Sequence, residues 1–435
     1  MKEDFRILLK WIPDSSDALE DIQAKVQIHL SDKCLTRHRS TIDNSDSDAA
    51  MLAPFPMAMW FASNWWRLCW EPTPNKTPTT DWRMSHMLSA AGYGYTWPTI
   101  CFQTDGELIR ITSLPNEIKW GETASYTTLY SGLITQNIFE NTIHSFIKEC
   151  ISKVDLKELK DLWGEVCEER EDPQASFYRK IEAILGFDPG EGPEDEILSL
   201  LDRAEEYGTD ALQEISYQLI SSRSVQEAIN KLKGGQIGAK VSIADTSTLV
   251  DFARKKRMNL LPWDLGFDLA REARKVWGIS GPLLNKTLYE IMGIPSNSFE
   301  TAPVIGSGIG LGWKSPDNTA RFCMNKSHPK AQRFMASRFI CENIAAPTTD
   351  VLLPSTNQKT ARQKVQRAFA AELLCPIQEI LEYCDGDYSD DILDEVASIF
   401  DVSPLVVRRQ LSNRNIIMRD EEPRNIWFDA AENAC

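Results

Sequence analysis

The side chains best suited to acid–base, nucleophilic or metal chemistry are Glu342, Glu372, Cys341 and the histidines. The five histidines stand at 29, 38, 86, 144 and 328, and no two are four residues apart. The chain therefore has no HExxH helix, in which two imidazoles on one face hold zinc and a glutamate acts as general base. The ten cysteines, at 34, 69, 101, 150, 167, 323, 341, 375, 384 and 435, include no CxxC pair of the kind that structural zinc sites use. Cys341 has no base close to it in sequence, and a thiol nucleophile needs one. Glu342 and Glu372 would form an acid–base pair only if the fold brought them together. Glu372 lies in an apolar Ala-Glu-Leu-Leu string, which favours a structural role. Gly306 to Gly312 is glycine-rich but lacks the GxxxxGK[ST] order of a phosphate loop, so turns in a small sheet are the simpler reading.

Two basic groups raise the question of nucleic acid. Arg254 to Arg257 is a run of four cations, and its simpler reading is a solvated helix face. Arg408, Arg409 and Gln410 fall on the second helix of a segment, Ile392 to Leu411, that has helix-turn-helix character. In a DNA reader that helix would enter the major groove. The overall balance argues the other way, with 63 Asp plus Glu against 47 Lys plus Arg and a net charge of −16. Such acidity opposes broad attraction to nucleic acid or to an anionic membrane, as does the nearby Asp420-Glu421-Glu422. A protein partner is favoured over nucleic acid, no cofactor is expected, and no membrane association is expected. Scattered cysteines and the lack of an apolar leader or a long apolar run predict a cytoplasmic chain.

The elements that would position these residues fall into three regions. Residues 1–132 are expected to form a Trp-rich α/β domain. They hold eight of the thirteen tryptophans, at 11, 60, 65, 66, 70, 82, 97 and 120. Phe5 to Trp11 predicts a strand, Pro56 to Trp70 one buried helix, and Trp82 to Ala91 another that ends at Gly92. Tyr95 to Thr104 and Leu108 to Thr112 alternate around Asp105-Gly106, a hairpin signal. The tryptophans suit either a stacking surface for bases or sugars or a core short of aliphatic side chains. Residues 133–238 are expected to be a helical middle, with helices at 134–154, 176–185, 194–207 and 211–228. Residues 239–435 carry helices at 264–277, 285–292, 331–344, 359–374, 390–400 and 404–413, and a strand at 321–325.

The third region resembles the ImmA/IrrE metallopeptidase-like family. The resemblance rests on motifs in order: Pro262-Trp263-Asp264-Leu265-Gly266 with Ala270, Arg271 and Arg274; Arg333-Phe334; Ala368-Phe369-Ala370-Ala371-Glu372-Leu373-Leu374-Cys375-Pro376; Phe400-Asp401-Val402-Ser403-Pro404; and Val406 to Leu411. It implies an α+β, multidomain protein with a zincin-like C-terminal domain. Family enzymes carry HExxH after the Arg-Phe, and a carboxylate on the next helix completes the zinc site. Here Arg338 and Glu342 take the two histidine positions and Phe339 takes that of the base. Gln363 to Arg367 supply no acid for the third ligand. A guanidinium has no lone pair to give a metal. The chain is therefore expected to bind no metal, to catalyse no hydrolysis, and to use a degenerate peptidase site for binding or scaffolding. Arg338 and Glu342, one helical turn apart, are expected to pair with each other across the former metal position. His328 is expected to be an exposed loop residue. The family implies a bacterial or phage regulatory or defence setting and a neighbouring protein partner. A DNA-binding regulator and a working zinc peptidase are the alternatives.

Overall fold

The computed structural model describes residues 4–13, 22–116, 124–153, 155–244, 246–257, 259–295, 309–317 and 319–417. Trp120, Gly306 to Gly308 and Asp420 to Glu422 lie outside them, while Gly310 to Gly312 of the glycine-rich stretch form part of a strand. The protein is a mixed α+β chain with several small antiparallel sheets. It divides into two compact units, with the boundary at Leu198 and Ser199. No helix among the described residues is long and apolar enough to cross a membrane.

Unit 1 begins with β1 (Phe5–Trp11), β2 (Ala24–Leu30), β3 (Lys33–Cys34), β4 (His38–Ser40), β5 (Asp46–Ser47) and β6 (Ala50–Leu52). Then come α1 (Pro54–Ser63), α2 (Trp65–Trp70), α3 (Thr80–His86), β7 (Thr99–Thr104), β8 (Leu108–Leu114), β9 (Ala124–Tyr126) and β10 (Tyr130–Thr135). The unit ends with α4 (Gln136–Lys153), α5 (Lys157–Glu171), α6 (Pro173–Ile184) and most of α7 (Glu194–Leu201). The β7–β8 hairpin turns at Asp105-Gly106 as the sequence predicts. Gly106 takes φ +91°, and Asp105 Oδ1 accepts from the amides of Glu107 and Leu108. The single helix expected over Pro56 to Trp70 is two, because Asn64 leaves the helical region and its side chain donates to Trp60 O.

Most of the described tryptophans in this region are core residues. Trp60, Trp65, Trp66, Trp82 and Trp97 are buried, and Trp65 meets Trp163 edge to face at 5.1 Å. Trp60, Trp65, Trp66 and Trp97 share one core with Phe139, Ile143 and Phe146 of α4, and Trp82 packs with Met87 and Cys101. The helical middle expected over 133–238 is accordingly not a body of its own. The apolar stripes of α4 and α5 complete the aromatic core of unit 1, and the later helices pack in unit 2.

Unit 2 contains α8 (Ala204–Tyr207), α9 (Thr209–Ser221), α10 (Arg223–Lys233), β11 (Ala239–Val241), α11 (Thr246–Arg257), α12 (Pro262–Val276) and α13 (Asn285–Met292). It continues with β12 (Gly310–Lys314), β13 (Ala320–Met324), α14 (Pro329–Ala345), β14 (Leu352–Ser355), α15 (Ala361–Leu374), α16 (Ile377–Cys384), α17 (Asp390–Ile399) and α18 (Pro404–Ser412). The strands form one antiparallel sheet in the order β11-β13-β12-β14. Two expected helices are divided: the one over 194–207 breaks at Asp202 and Arg203 between α7 and α8, and extended Ser222 separates α9 from α10.

The sheet separates two layers of helix. On one face, Phe339 of α14 stacks on Phe322 at 4.1 Å and fills the space over Gly312, where a Cβ would lie 2.2 Å from the ring. Trp313, the next residue along β12, points to the opposite face and meets Tyr207 at 5.8 Å. Behind α14, α12 crosses α15 so closely that a Cβ on Gly266 would sit 2.5 Å from Val365 O. Glycine at 266 thus sets the spacing of the helices that carry the motifs.

Candidate functional site

Arg338 and Glu342 lie in the middle of α14, both buried, at 4% and 2% exposure. The helix starts at Pro329, with His328 as its cap; the imidazole accepts from Lys330 N. His328 is therefore a helix cap, not a ligand aimed inward. Arg333, a turn before the site, is also buried and ties α14 to Leu283 O and Asp401.

The direct Arg338–Glu342 pair expected from spacing does not form. Each residue reaches across to α15, and Gln366 joins them. Its Oε1 accepts from Arg338 at 3.2 Å, and its Nε2 donates to Glu342 Oε2 at 2.5 Å. Arg338 also donates to Gln363 Oε1 and to Thr356 O at 2.6 Å. Glu342 takes its charge partner from Arg362, which extends to Asp350 Oδ2 at 2.7 Å. The reason is geometric: α15 offers three polar side chains at closer range than the neighbouring turn of α14 does.

The same amides consume the free edge of β14. Lys314 N donates to Val351 O, and this register turns the backbone of Pro354 and Thr356 outward from the sheet. Pro354 O accepts from Gln363 and Gln366, Thr356 N donates to Gln363 Oε1, and Thr356 O accepts from Arg338. An extended peptide therefore finds the groups of Pro354 and Thr356 already taken.

Electrostatics follow burial. Burial pulls the Arg338 guanidinium down to about 9, with Arg367 nearby adding to the shift. Burial also acts against the Arg362 charge, but the Glu342 carboxylate outweighs it and holds Arg362 above its usual range. Lys314, at the end of β12, is lowered by burial despite Glu342 and Asp350. Glu214 of α9 enters from the other layer and accepts from Thr356 Oγ1 and Thr360 Oγ1, both at 2.8 Å. Desolvation raises its carboxyl above the ordinary 4.5, against the pull of Arg362.

A raised acid binds its proton more tightly when folded, so stability falls as pH climbs from 4.5 through the raised value. Glu214→Gln is expected to flatten that decline. Urea unfolding of both proteins at pH 5 and pH 8 measures it, and equal slopes would contradict the assignment.

Glu342 and Glu372 belong to separate networks. Glu372 is buried among Arg271 at 2.9 Å, Gln410 at 3.1 Å and Ile377 N at 3.3 Å. It ties α12, α15 and α18 together and does not reach Glu342. Cys341 is fully buried, and burial holds its thiol well above the usual range, so it is no nucleophile.

Of the residues considered for nucleic acid, Gln410 is turned inward, donating to Glu372 and to Cys375 O. Arg408 is held against α17 by Asp390 and Asp394. The two helices thus close the unit.

A zinc ion would not suit this donor set. The two α14 positions hold a guanidinium and a carboxylate already bound to Arg362, and α15 contributes amides whose nitrogens are turned to acceptors. Among the described residues, no group of His, Cys, Asp and Glu could hold a metal. Sequence reasoning missed Arg362, Asp350, Thr356 and Glu214. Arg362 and Asp350 are polar residues at a helix start and a turn, where exposure is the ordinary expectation, and Glu214 comes from a segment assigned elsewhere. Comparison of the chain with family models, with curated proteins and with solved structures finds no match.

Proposed function

We propose that unit 2 is a peptidase-like domain of the ImmA/IrrE type with a zincin-like plan whose metal site has been rebuilt as a hydrogen-bonded charge network. On this reading the chain works as a non-catalytic binding or regulatory component. One observation carries the proposal: the residues at the two motif-defined histidine positions are joined by a residue from the stretch Gln363 to Arg367, where the third ligand would be expected. Arg338, Glu342 and Gln366 converge from two helices that the motif order had singled out. Unrelated surface charges would be neither buried nor joined. These contacts leave no lone pair to hold a metal that would polarise a carbonyl, and no base to activate water, both of which metal-assisted hydrolysis requires.

The blocked edge of β14 moves the expected partner contact away from that groove, because strand addition needs free backbone groups. The setting that the resemblance implies is regulation or defence in a bacterium or phage, with a protein partner. The test is direct. Purified full-length protein is expected to carry less than a tenth of an equivalent of zinc and to release no chelator-sensitive peptidase activity from unfolded casein. One equivalent of zinc, or hydrolysis abolished by chelator, overturns the proposal.

A further inference from the structure

Helices α9 and α10 are bounded by glycines that only a left-handed backbone suits: Gly208 at φ +93°, and Gly235 and Gly238 at +71° and +84°. At the first of these the chain is pressed against Asp350, so that a Cβ on Gly208 would lie 2.3 Å from Asp350 Oδ1. Between the glycines, Leu212, Ile215, Leu219, Val225, Ile229 and Leu232 are buried. None belongs to the main core of the unit, which lies on the other side of the sheet. The two layers therefore have separate cores with the sheet as a partition.

The attachment between α9 and the rest is partly polar and incompletely satisfied. Glu214 is held by two threonine hydroxyls, and the cations around it, Arg338, Arg362 and Arg367, act on it through space. Asp350 Oδ1 and Gln218 Oε1 are buried without a partner. Unsatisfied buried groups favour any state that lets water reach them.

We propose that α9 and α10 form a hinged cover, able to lift from the sheet as one body while α12, α14 and α15 stay packed. Lifting it exposes Trp313 and Leu352 on the outer face and frees the Thr356 and Thr360 hydroxyls. The cover rests on contacts within unit 2 alone and does not depend on the peptidase ancestry. Segments that open independently have their own cooperative exchange behaviour.

Hydrogen exchange on the intact protein tests it. Amides of α9 and α10 are expected to exchange together and at least tenfold faster than those of α12 and α15. Equal protection across the unit overturns the proposal. Gly208→Ala, which drives a methyl into Asp350, is expected to speed the cover segment at least tenfold and leave α12 and α15 unchanged. If it speeds all four helices alike, the unit opens as a whole and there is no cover. Should that variant fail to fold, the native exchange pattern alone decides.

Discussion

Replacing Glu342 with alanine is expected to destabilise unit 2 by about 3–5 kcal/mol, the cost of leaving a buried guanidinium without its carboxylate. Glu342 is the anion that holds Arg362, and through Gln366 it also balances Arg338. Alanine would leave both arginines buried, with Asp350 on Arg362 and Glu214 near both as the remaining anions. The control is Glu290→Ala, since Glu290 meets Lys286 in solvent at 3.8 Å and such pairs contribute at most about 1 kcal/mol. Denaturant unfolding of the two variants separates the cases. In the double variant Glu342→Ala with Arg362→Ala, only part of the loss should return, because Arg362 is no longer stranded but the buried Asp350 loses its partner. A loss below 1 kcal/mol for Glu342→Ala would mean that water already reaches the network and that it does not hold the helices together.

The second large effect is a gain. With Arg338→His, Glu342→His and Gln366→Glu together, the full-length protein is expected to take up about one equivalent of zinc. Positions 338 and 342 are one turn apart on α14, and Gln366 touches the side chains of both. Two imidazoles and a carboxylate at such positions make a three-ligand site of the kind that leaves one coordination place open. Zinc at a hundred times its dissociation constant should then raise stability by about 2.7 kcal/mol. Elemental analysis and a zinc titration of the unfolding transition read the result. No uptake by a folded triple variant would mean that α14 and α15 do not hold the spacing of a metal site, and the proposed descent would lose its support. Hydrolysis is not expected even with zinc, because Phe339 provides no base.

Much of this arrangement can be read in the sequence where local periodicity and strong breakers agree. The Asp105-Gly106 hairpin, α13 ending at Gly293 and the helices over Arg333 and Phe369 lie where pattern and turn chemistry put them. Helix breaks were less visible. Asn64 and Ser222 interrupt apolar patterns through side-chain and backbone choices that a composition window averages away. Domain limits were misread for a related reason: α4 is amphipathic in isolation, and only the fold reveals that its stripe completes the aromatic core of unit 1. In the site, spacing placed Arg338 and Glu342 on one face of α14 correctly. It could not foresee that glutamines from α15 would come between them, because an amide gives no charge signal in a sequence.

Phe339 gives this site a direction in evolutionary time. Its ring occupies the volume over Gly312 and lies flat on Phe322, a place that a glutamate could not fill. On the proposed descent, any lineage regaining the base would first pass through a void worth about 3–5 kcal/mol. It would meet that deficit before any benefit from chemistry. If that descent holds, one aromatic ring, once seated, makes the backward step far harder than the forward one.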